Sequence, residues 1–306
     1  MSFTKIIIST PNMTESELDL LTSRLTDLGA EGFEFSGDVF EDMIPTPAPG
    51  LEPDTRPESA PAVTVYVPAN EQGRTVVSMI RRFADANGLA HTTDTVAEQD
   101  WENNWKQHFK PLTVGERLVI KPSWEVYDNR DGRLVIEIDP ASAFGTGQHA
   151  TTRMCLELLE TYVTPADDVL DVGCGSGILS AAALLLGAKR LTAVDVCENA
   201  VRITEDTLMK NDVIGRAYLV KCGNAITDEE FRRSVGCYDI VVANITADVI
   251  VAMSAFLQDF TRSTLILSGI ISNRLPEVLS AIEPHFNIVE TRTREDWCAL
   301  VCHKIS

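Results

Sequence analysis

The chain has 306 residues, of which 44% are hydrophobic, and its 26 Lys and Arg against 45 Asp and Glu give a net charge of −19. This length and apolar content exclude a mini-protein and a disordered chain and favour two domains, since one domain usually holds roughly 100 to 200 residues. The excess of acidic residues disfavours binding to a nucleic-acid backbone and suits a basic protein partner, although an acidic surface is also a common means of keeping a protein in solution.

Hydrophobic runs and cysteines indicate the cellular compartment of the protein. The most apolar stretch, residues 178–188, is far shorter than the roughly 20 residues that a bilayer span needs, and Lys5 precedes three isoleucines instead of a signal peptide's apolar region. The seven cysteines form no C-x-x-C pair, and most lie inside apolar segments: Cys155, Cys174, Cys197, Cys298 and Cys302. We therefore expect a cytoplasmic protein with reduced, structural thiols and no metal site.

The first third of the chain predicts a small α+β domain. Residues 3–8 favour a strand, which a helix with one leucine-rich face follows. Six prolines at 45–61 predict an extended loop, and after it come a strand at 63–67 and a helix over 74–87. We expect residues 1–97 to form a ferredoxin-like domain, and residues 1–100 hold 17 acidic side chains against 6 basic ones.

A short helix is predicted between this domain and the rest of the chain. Residues 98–110 carry Trp101 and Trp105 four positions apart, so both indoles lie on one helical face. The tryptophans either pack the domain junction or contact a substrate, and the sequence favours neither. Beyond this linker helix, residues 117–122 and 133–138 predict a hairpin.

The remainder, residues 111–306, predicts an α/β domain. From residue 169 onward, helical segments separate seven apolar runs: 169–172, 191–194, 217–220, 240–243, 264–268, 288–291 and 299–303. Buried runs of this kind predict a parallel sheet with helices on both faces. The gap before the last run is too short for a crossover helix, so we expect that strand to be antiparallel and to form the sheet edge.

A glycine-rich turn carries the first chemical signal. Residues 171–177 read D-V-G-C-G-S-G between a predicted strand and a helix, and glycines there let the backbone approach a ligand closely. Asp195 ends the next strand, 22 residues after Gly173, where a carboxylate can accept hydrogen bonds from ribose hydroxyls. The spacing differs from the G-x-G-x-x-G that seats a pyrophosphate. It suits S-adenosylmethionine, a nucleoside with an amino-acid tail and no phosphate.

Several ordered motifs resemble one family. The turn and Asp195 resemble the motifs of class I S-adenosylmethionine-dependent methyltransferases, a Rossmann-like fold whose seven-stranded sheet has an antiparallel last strand. Three further runs are D-W-E-N-N-W-K-Q-H-F-K-P at 100–111, D-P-A-S-A-F-G-T-G-Q-H-A-T-T at 139–152 and A-N-I-T at 243–246, with L-S-G-I-I after them. Together they resemble the bacterial methyltransferases that modify ribosomal protein L11, whereas residues 1–97 match that family only in general plan.

This resemblance implies site residues. It implies that Asn244 is catalytic and presents carbonyl oxygen to an incoming amine. It implies that the following residues contact S-adenosylmethionine: Thr152, Gly173, Gly175, Asp195 and Asn244. It also implies that a loop closes over the methionine end of the cofactor, and this loop consists of Phe144, Gly145, Thr146 and Gly147. Thr152 is also a candidate helix cap. His149 is a candidate base or a structural hydrogen-bonding partner.

The function that we expect is methylation of lysine ε-amino groups, and of an N-terminal α-amino group, of ribosomal protein L11. Such a transfer is an in-line displacement that needs neither a metal nor a covalent intermediate. We expect a monomer that recruits its basic substrate through residues 1–97 and binds neither nucleic acid nor membrane. Alternatives are an N-methyltransferase acting on another protein lysine, RNA or a small amine, and a non-catalytic cofactor-binding module; the acidic charge disfavours RNA.

Overall fold

A computed structural model of the chain describes residues 2–11, 13, 17–18, 21–22, 24–25, 28–30, 32–36, 61–97, 109–139, 147–211, 213 and 215–305. It divides into two compact units, Met1–Lys110 and Pro111–Ser306. Most of the predicted proline-rich loop, the predicted linker helix as far as residue 108, and residues 144–146 of the predicted cofactor loop lie outside the described residues.

The first unit is built on a four-stranded antiparallel sheet. Its strands are β1 (Ser2–Ser9), β2 (Gly32–Ser36), β3 (Ala62–Pro68) and β4 (His91–Ala97), in the order β2-β3-β1-β4. Helical residues at 17–18, 21–22 and 24–25 lie between β1 and β2, and helix α1 (Glu71–Ala86) lies between β3 and β4. This chain order and strand order confirm the ferredoxin-like fold, although β2 and β4 were not predicted.

Apolar side chains of the two central strands explain why this unit folds. Ile6 of β1 and Val65 of β3 are fully buried, and Ile80 of α1 packs in the same core. Helix α1 begins three residues earlier than predicted because the side chain of Asn70 accepts a hydrogen bond of 2.7 Å from the amide of Gly73. That bond satisfies one of the amides that a helix N-terminus leaves without an intrahelical partner.

The second unit starts with a small three-stranded sheet. Its strands are β5 (Leu112–Val114), β6 (Leu118–Lys121) and β7 (Leu134–Glu137), and β6 pairs with β5 antiparallel but with β7 parallel. The predicted hairpin between the last two strands is therefore wrong. The connection of residues 122–133 is long enough to carry the chain back to the starting end of β6, as a parallel pair requires.

The main sheet has seven strands in the order β10-β9-β8-β11-β12-β14-β13. The strands are β8 (Asp168–Val172), β9 (Arg190–Asp195), β10 (Ala217–Cys222), β11 (Tyr238–Asn244), β12 (Thr261–Ile271), β13 (Phe286–Arg294) and β14 (Trp297–Lys304). The five strands from β10 to β12 are parallel to one another, and β14 is antiparallel to both of its neighbours. This sheet confirms the predicted class I methyltransferase fold.

The last strand is antiparallel, as predicted, but it does not form the sheet edge. Strand β14 lies between β12 and β13, and its first six residues are buried. Strand β13 forms the edge and alternates between more and less exposed side chains. A strand that is apolar on both faces gains most from an interior position, whereas an alternating strand tolerates water on one face.

Helices cover both faces of the main sheet. They are α2 (Ala150–Tyr162), α3 (Ile178–Leu186), α4 (Glu198–Lys210), α5 (Glu229–Val235), α6 (Ala247–Phe260) and α7 (Leu275–Ile282), with a 3-10 turn at Ser272–Arg274. Helices α2, α3 and α4 contribute to one apolar core, and α5, α6 and α7 contribute to the other. The most apolar run of the sequence is the nine-residue α3, buried against the sheet. Within the described part of the chain, no helix has the length and apolarity needed to cross a membrane.

Candidate active site

The predicted site residues meet at the carboxyl ends of the central parallel strands. The turn that follows β8 begins at Gly173, β9 ends at Asp195, and β11 ends at Asn244. Strand β8 lies between β9 and β11, so the chain changes direction across the sheet at this point. The crevice at such a switch point is the usual ligand site of an open α/β sheet.

The turn after β8 has a backbone conformation that favours glycine at two positions. Gly173 and Gly175 have φ of 76° and 51°, a left-handed conformation that side chains with a Cβ rarely adopt. The amide of Gly173 donates a 2.8 Å hydrogen bond to the carbonyl of Val194, which attaches the turn to β9. A Cβ at Gly173 would lie 2.5 Å from Cγ2 of Ile245, so even alanine would push against the residue after Asn244.

Asp195 presents an oriented carboxylate beside this turn. Its Oδ2 accepts a 3.0 Å hydrogen bond from the amide of Gly175, and its Oδ1 accepts one of 2.9 Å from the amide of Cys197. Each carboxylate oxygen can accept two hydrogen bonds, so both keep an acceptor position. Two neighbouring acceptors on a fixed, partly exposed carboxylate fit the two hydroxyls of a ribose.

Thr152 and Asn244 contact each other although 92 residues separate them. Nδ2 of Asn244 donates a hydrogen bond of 3.2 Å to Oγ1 of Thr152, a nearly fully buried residue of α2. Among the described residues, Oδ1 of Asn244 accepts no hydrogen bond. The pair therefore leaves an amide oxygen available at the end of β11.

The N-cap of helix α2 differs from Thr152, the residue that the sequence suggested for that position. His149 is the N-cap, and its Nδ1 accepts a 3.3 Å hydrogen bond from the amide of Thr151. Thr152 is the third residue of the helix, so the alternative that it serves as the cap is wrong. Nδ1 of His149 also lies 2.6 Å from the hydroxyl oxygen of Thr151, and its ring packs edge-on against Trp297 at 5.0 Å. These contacts agree with the structural alternative for His149, and its role as a base stays a prediction.

Asp171 is a buried carboxyl group to which sequence reasoning gave no role. Its side chain has no exposed surface, and Oδ2 accepts a 2.6 Å hydrogen bond from the hydroxyl of Ser180. Its Oδ1 has no partner among the described residues. Burial raises the pKa of Asp171 to about 7, and the negative charge of Asp195 adds to the rise. The sequence did offer a signal for this buried carboxyl group, because Asp171 lies inside a short apolar run that predicts a buried strand.

Strand β12 supports the Asn244 segment through a short irregularity. The amide of Ile245 donates a 3.2 Å hydrogen bond to the carbonyl of Ser268. Gly269 follows with φ of 82°, and a Cβ there would overlap the carbonyl oxygen of Ile245. The register with β14 shifts here. The sequence singled out L-S-G-I-I as a family motif but gave these residues no place in the site.

One end of the predicted cofactor loop is described. Gly147 is buried with φ of 88°, and a Cβ there would lie 3.0 Å from Cδ1 of Ile178, the first residue of α3. This end of the loop is therefore held against the helix that follows the glycine turn. Phe144, Gly145 and Thr146 lie outside the described residues, and their predicted contacts stay predictions.

The seven cysteines differ in their exposure to solvent. The four thiols at Cys155, Cys174, Cys298 and Cys302 are buried, and all seven cysteines are free. Burial raises the pKa of Cys155 to about 12 and that of Cys302 to about 12. Cys197 is exposed at the N-cap of α4 and its side chain makes no capping bond, so the expectation of a structural thiol is wrong at this position.

Sequence comparisons with known proteins point to one family. The family model of the ribosomal protein L11 methyltransferases (PrmA) matches residues 3–305. A ribosomal protein L11 methyltransferase of Lachnospira eligens is 35% identical over 99% of this chain and 100% of its own length. One of Thermoanaerobacter pseudethanolicus is 45% identical over 68% of this chain and 66% of its own length.

Among solved structures, a ribosomal protein L11 methylase of Lactobacillus delbrueckii subsp. bulgaricus superposes with a TM-score of 0.57 at 28% identity, covering 64% of this chain and 99% of that one. Three observations point to the same family. They are the strand order of the main sheet, the glycine turn with the carboxylate of Asp195 beside it, and the family match over nearly the whole length of the chain. The chain belongs to the ribosomal protein L11 methyltransferase family, whose members are class I S-adenosylmethionine-dependent protein methyltransferases.

Proposed function

We propose that this chain transfers methyl groups from S-adenosylmethionine to lysine ε-amino groups, and to the N-terminal α-amino group, of ribosomal protein L11. The full-length relatives are named ribosomal protein L11 methyltransferases, which supports the substrate protein in this proposal. The observation that carries the proposal within this chain is the hydrogen bond from Asn244 to Thr152, which fixes an amide oxygen at the end of β11.

The residues around the glycine turn would hold the cofactor. Asp195 would accept hydrogen bonds from the ribose hydroxyls through the acceptor positions that Gly175 and Cys197 leave open. The left-handed backbone at Gly173 would allow the amino-acid tail to approach the turn closely. Thr152 accepts its bond from Asn244, so its hydroxyl proton stays available for donation to the ligand.

Asn244 would align the substrate amine. When bound, S-adenosylmethionine supplies an electrophilic methyl group on a sulfonium sulfur. Oδ1 of Asn244 would accept a hydrogen bond from the neutral amine, which directs the nitrogen lone pair along the displacement axis. Nδ2 cannot turn towards the amine without breaking its bond to Thr152, so the acceptor stays in place. A protonated amine has no lone pair, so it must lose its proton before the transfer.

The acidic N-terminal unit would recruit the substrate. Residues 1–100 hold 17 acidic and 6 basic side chains, a balance that attracts a basic protein such as the proposed substrate. In this proposal residues 1–97 bind ribosomal protein L11, residues 98–110 link the two parts, and residues 111–306 perform the transfer. The enzyme would act as a monomer in the cytoplasm.

The test is intact-mass spectrometry of unmodified recombinant ribosomal protein L11 incubated with the enzyme and S-adenosylmethionine, followed by peptide mapping. We expect mass gains in steps of one methyl group, located on lysine residues and the N-terminus. The Asn244→Ala enzyme, in which we expect turnover to fall by about 100-fold, serves as the low-activity control. If the enzyme binds S-adenosylmethionine in calorimetry but adds no mass to ribosomal protein L11, the proposed substrate is wrong.

A further inference from the structure

Two exposed thiols flank the carboxylate of Asp195. Cys197 follows Asp195 by two residues at the end of β9, and Cys222 ends the neighbouring strand β10. Cys222 pairs in register with Asp195 across the two strands. Both thiols are free and exposed, unlike the four buried cysteines of this unit. Neither has a part in the methyl transfer proposed above.

Cys222 contacts the peptide group that precedes Cys197. Sγ of Cys222 lies 3.6 Å from the carbonyl oxygen of Val196, and that carbonyl belongs to the peptide group that leads into Cys197. A disulfide joins Cα atoms about 4.4 to 6.8 Å apart, so a bond between the two sulfurs requires the exposed side chain of Cys197 to turn towards β10 and its peptide to shift.

Both sulfurs are open to an oxidant in solution. Cys197 is the N-cap of the 13-residue helix α4 and makes no side-chain capping bond. The pKa of Cys222 is raised by partial removal of water from its sulfur and by the negative charges of Glu198 and Asp195. Either thiol can meet the oxidant first, and the other supplies the sulfur for the second step.

We propose that Cys197 and Cys222 form a reversible disulfide that weakens cofactor binding at Asp195. The oxidant is a peroxide. The thiolate of one cysteine attacks one peroxide oxygen, an S–O bond forms as the O–O bond breaks, and hydroxide leaves. The other cysteine loses its proton to solvent, its thiolate attacks the sulfenic sulfur, the S–S bond forms as the S–O bond breaks, and the leaving hydroxide takes up a proton to become water. A dithiol reductant reverses the reaction.

The disulfide would act through the hydrogen bond that orients Asp195. The amide of Cys197 donates to Oδ1 of Asp195 at 2.9 Å, and drawing Cys197 towards β10 moves this donor. The consequence for the cofactor rests on the proposed role of Asp195 in holding the ribose. Because a hydrogen bond to a charged group is lost or bent, we expect the dissociation constant of S-adenosylmethionine to rise by about tenfold or more.

The experiment treats the reduced full-length protein with hydrogen peroxide and maps its peptides without reduction, while calorimetry measures binding of S-adenosylmethionine before and after. We expect a linked peptide pair containing Cys197 and Cys222, two hydrogen masses lighter than the separate peptides. Affinity should fall with linkage and return with dithiothreitol. The variant Cys222→Ser should form no link and keep its affinity after mild oxidation. Cys237→Ser, at the amino end of β11, is the matched control and should behave like the natural protein.

Two results would overturn the inference. One is the absence of the linked peptide at a peroxide dose that oxidises Cys237, which is only partly exposed. The other is a complete link with unchanged affinity, which would refute the effect on Asp195. Failure of the fully reduced protein to bind S-adenosylmethionine would instead contradict the proposed function, and peptide mapping would still decide whether Cys197 and Cys222 join.

Discussion

Asn244 uses its amide nitrogen to contact Thr152, and its amide oxygen accepts no bond from the described residues. An amide held in this way has one orientation, and the proposed mechanism depends on it. We expect Asn244→Ala to lower turnover by about 100-fold, the loss typical of removing one preorganised hydrogen-bonding group, with the melting temperature nearly unchanged. Single-turnover methylation and thermal unfolding measure the two effects.

The control is Asn287→Ala, an exposed asparagine of the edge strand β13 that lies far along the sheet from the site. This variant should keep the natural turnover. Near-normal turnover of Asn244→Ala would remove Asn244 from the mechanism.

A second prediction at the scale of one residue concerns how Asp171 makes stability depend on pH. Its pKa is raised from 3.8 to about 7, so the folded state binds more protons than the unfolded chain between these values. The stability associated with the neutral carboxyl is fully present below the unfolded pKa and is lost as pH rises through about 7. Asp171→Asn keeps an acceptor for Ser180 without ionising. Relative to the natural protein, its free energy of unfolding should rise by a few kcal/mol between about pH 4 and pH 8.

Urea unfolding of both proteins across this pH range gives the difference directly, because other titrating groups contribute equally to both. Parallel stability profiles would show that Asp171 stays ionised in the folded protein. A matched control is Asp128→Asn, since Asp128 is an exposed carboxyl in the connection between β6 and β7.

At the scale of elements, the end of β11 is positioned by the irregularity in β12. Gly269 has a left-handed backbone and lies against the carbonyl of Ile245, one residue beyond Asn244. We expect Gly269→Ala to lower both stability and turnover, because its Cβ must displace that carbonyl. The left-handed conformation alone costs an added Cβ about 1 to 2 kcal/mol. Urea unfolding and turnover measure both effects.

Gly132→Ala separates strain from contact. Gly132 has φ of 67°, but a Cβ there would meet no atom within 4 Å. This control should lose only the conformational cost and should keep its turnover. Equal losses in the two variants would show that the contact between Gly269 and Ile245 does not position Asn244.

At the scale of the whole molecule, the net charge of −19 should govern encounter with a basic protein. Raising the salt from about 0.1 M to about 1 M shortens the screening length from about 10 Å to about 3 Å. We therefore expect the KM for ribosomal protein L11 to rise several-fold, with kcat nearly constant. The dissociation constant of S-adenosylmethionine, measured by calorimetry in the same buffers, should change much less. A salt-independent KM would contradict electrostatic recruitment.

Local patterns were sufficient to predict the strands of the main sheet. All seven apolar runs are strands of the main sheet, and the glycine turn joins β8 to α3 as predicted. In the first unit, β2 and β4 were missed. Strand β4 reads H-T-T-D-T-V-A, and its residues 92–94 are exposed. It is a strand because it pairs with the apolar β1, and such pairing leaves no apolar pattern in the paired segment.

Arrangement was less predictable than the elements themselves. The parallel pairing of β6 with β7 and the interior place of β14 both depend on which strands meet. Hydrogen bonding between distant segments decides those contacts. The burial of β14 on both faces and the alternating exposure of β13 are consistent with the observed order, but neither pattern specifies a neighbour.

The sequence by itself determined the fold class, the family and the residues that end the parallel strands. Glycine spacing, apolar runs and motif order depend only on the order of residues along the chain, so they can be recognised without knowing which segments pack together. Tertiary structure alone decided that Asn244 contacts Thr152, that Asp171 is sealed from solvent, and that Cys222 contacts the carbonyl of Val196, one residue before Cys197. The physical reason is that each of these contacts joins side chains whose proximity depends on the order in which strands and helices pack.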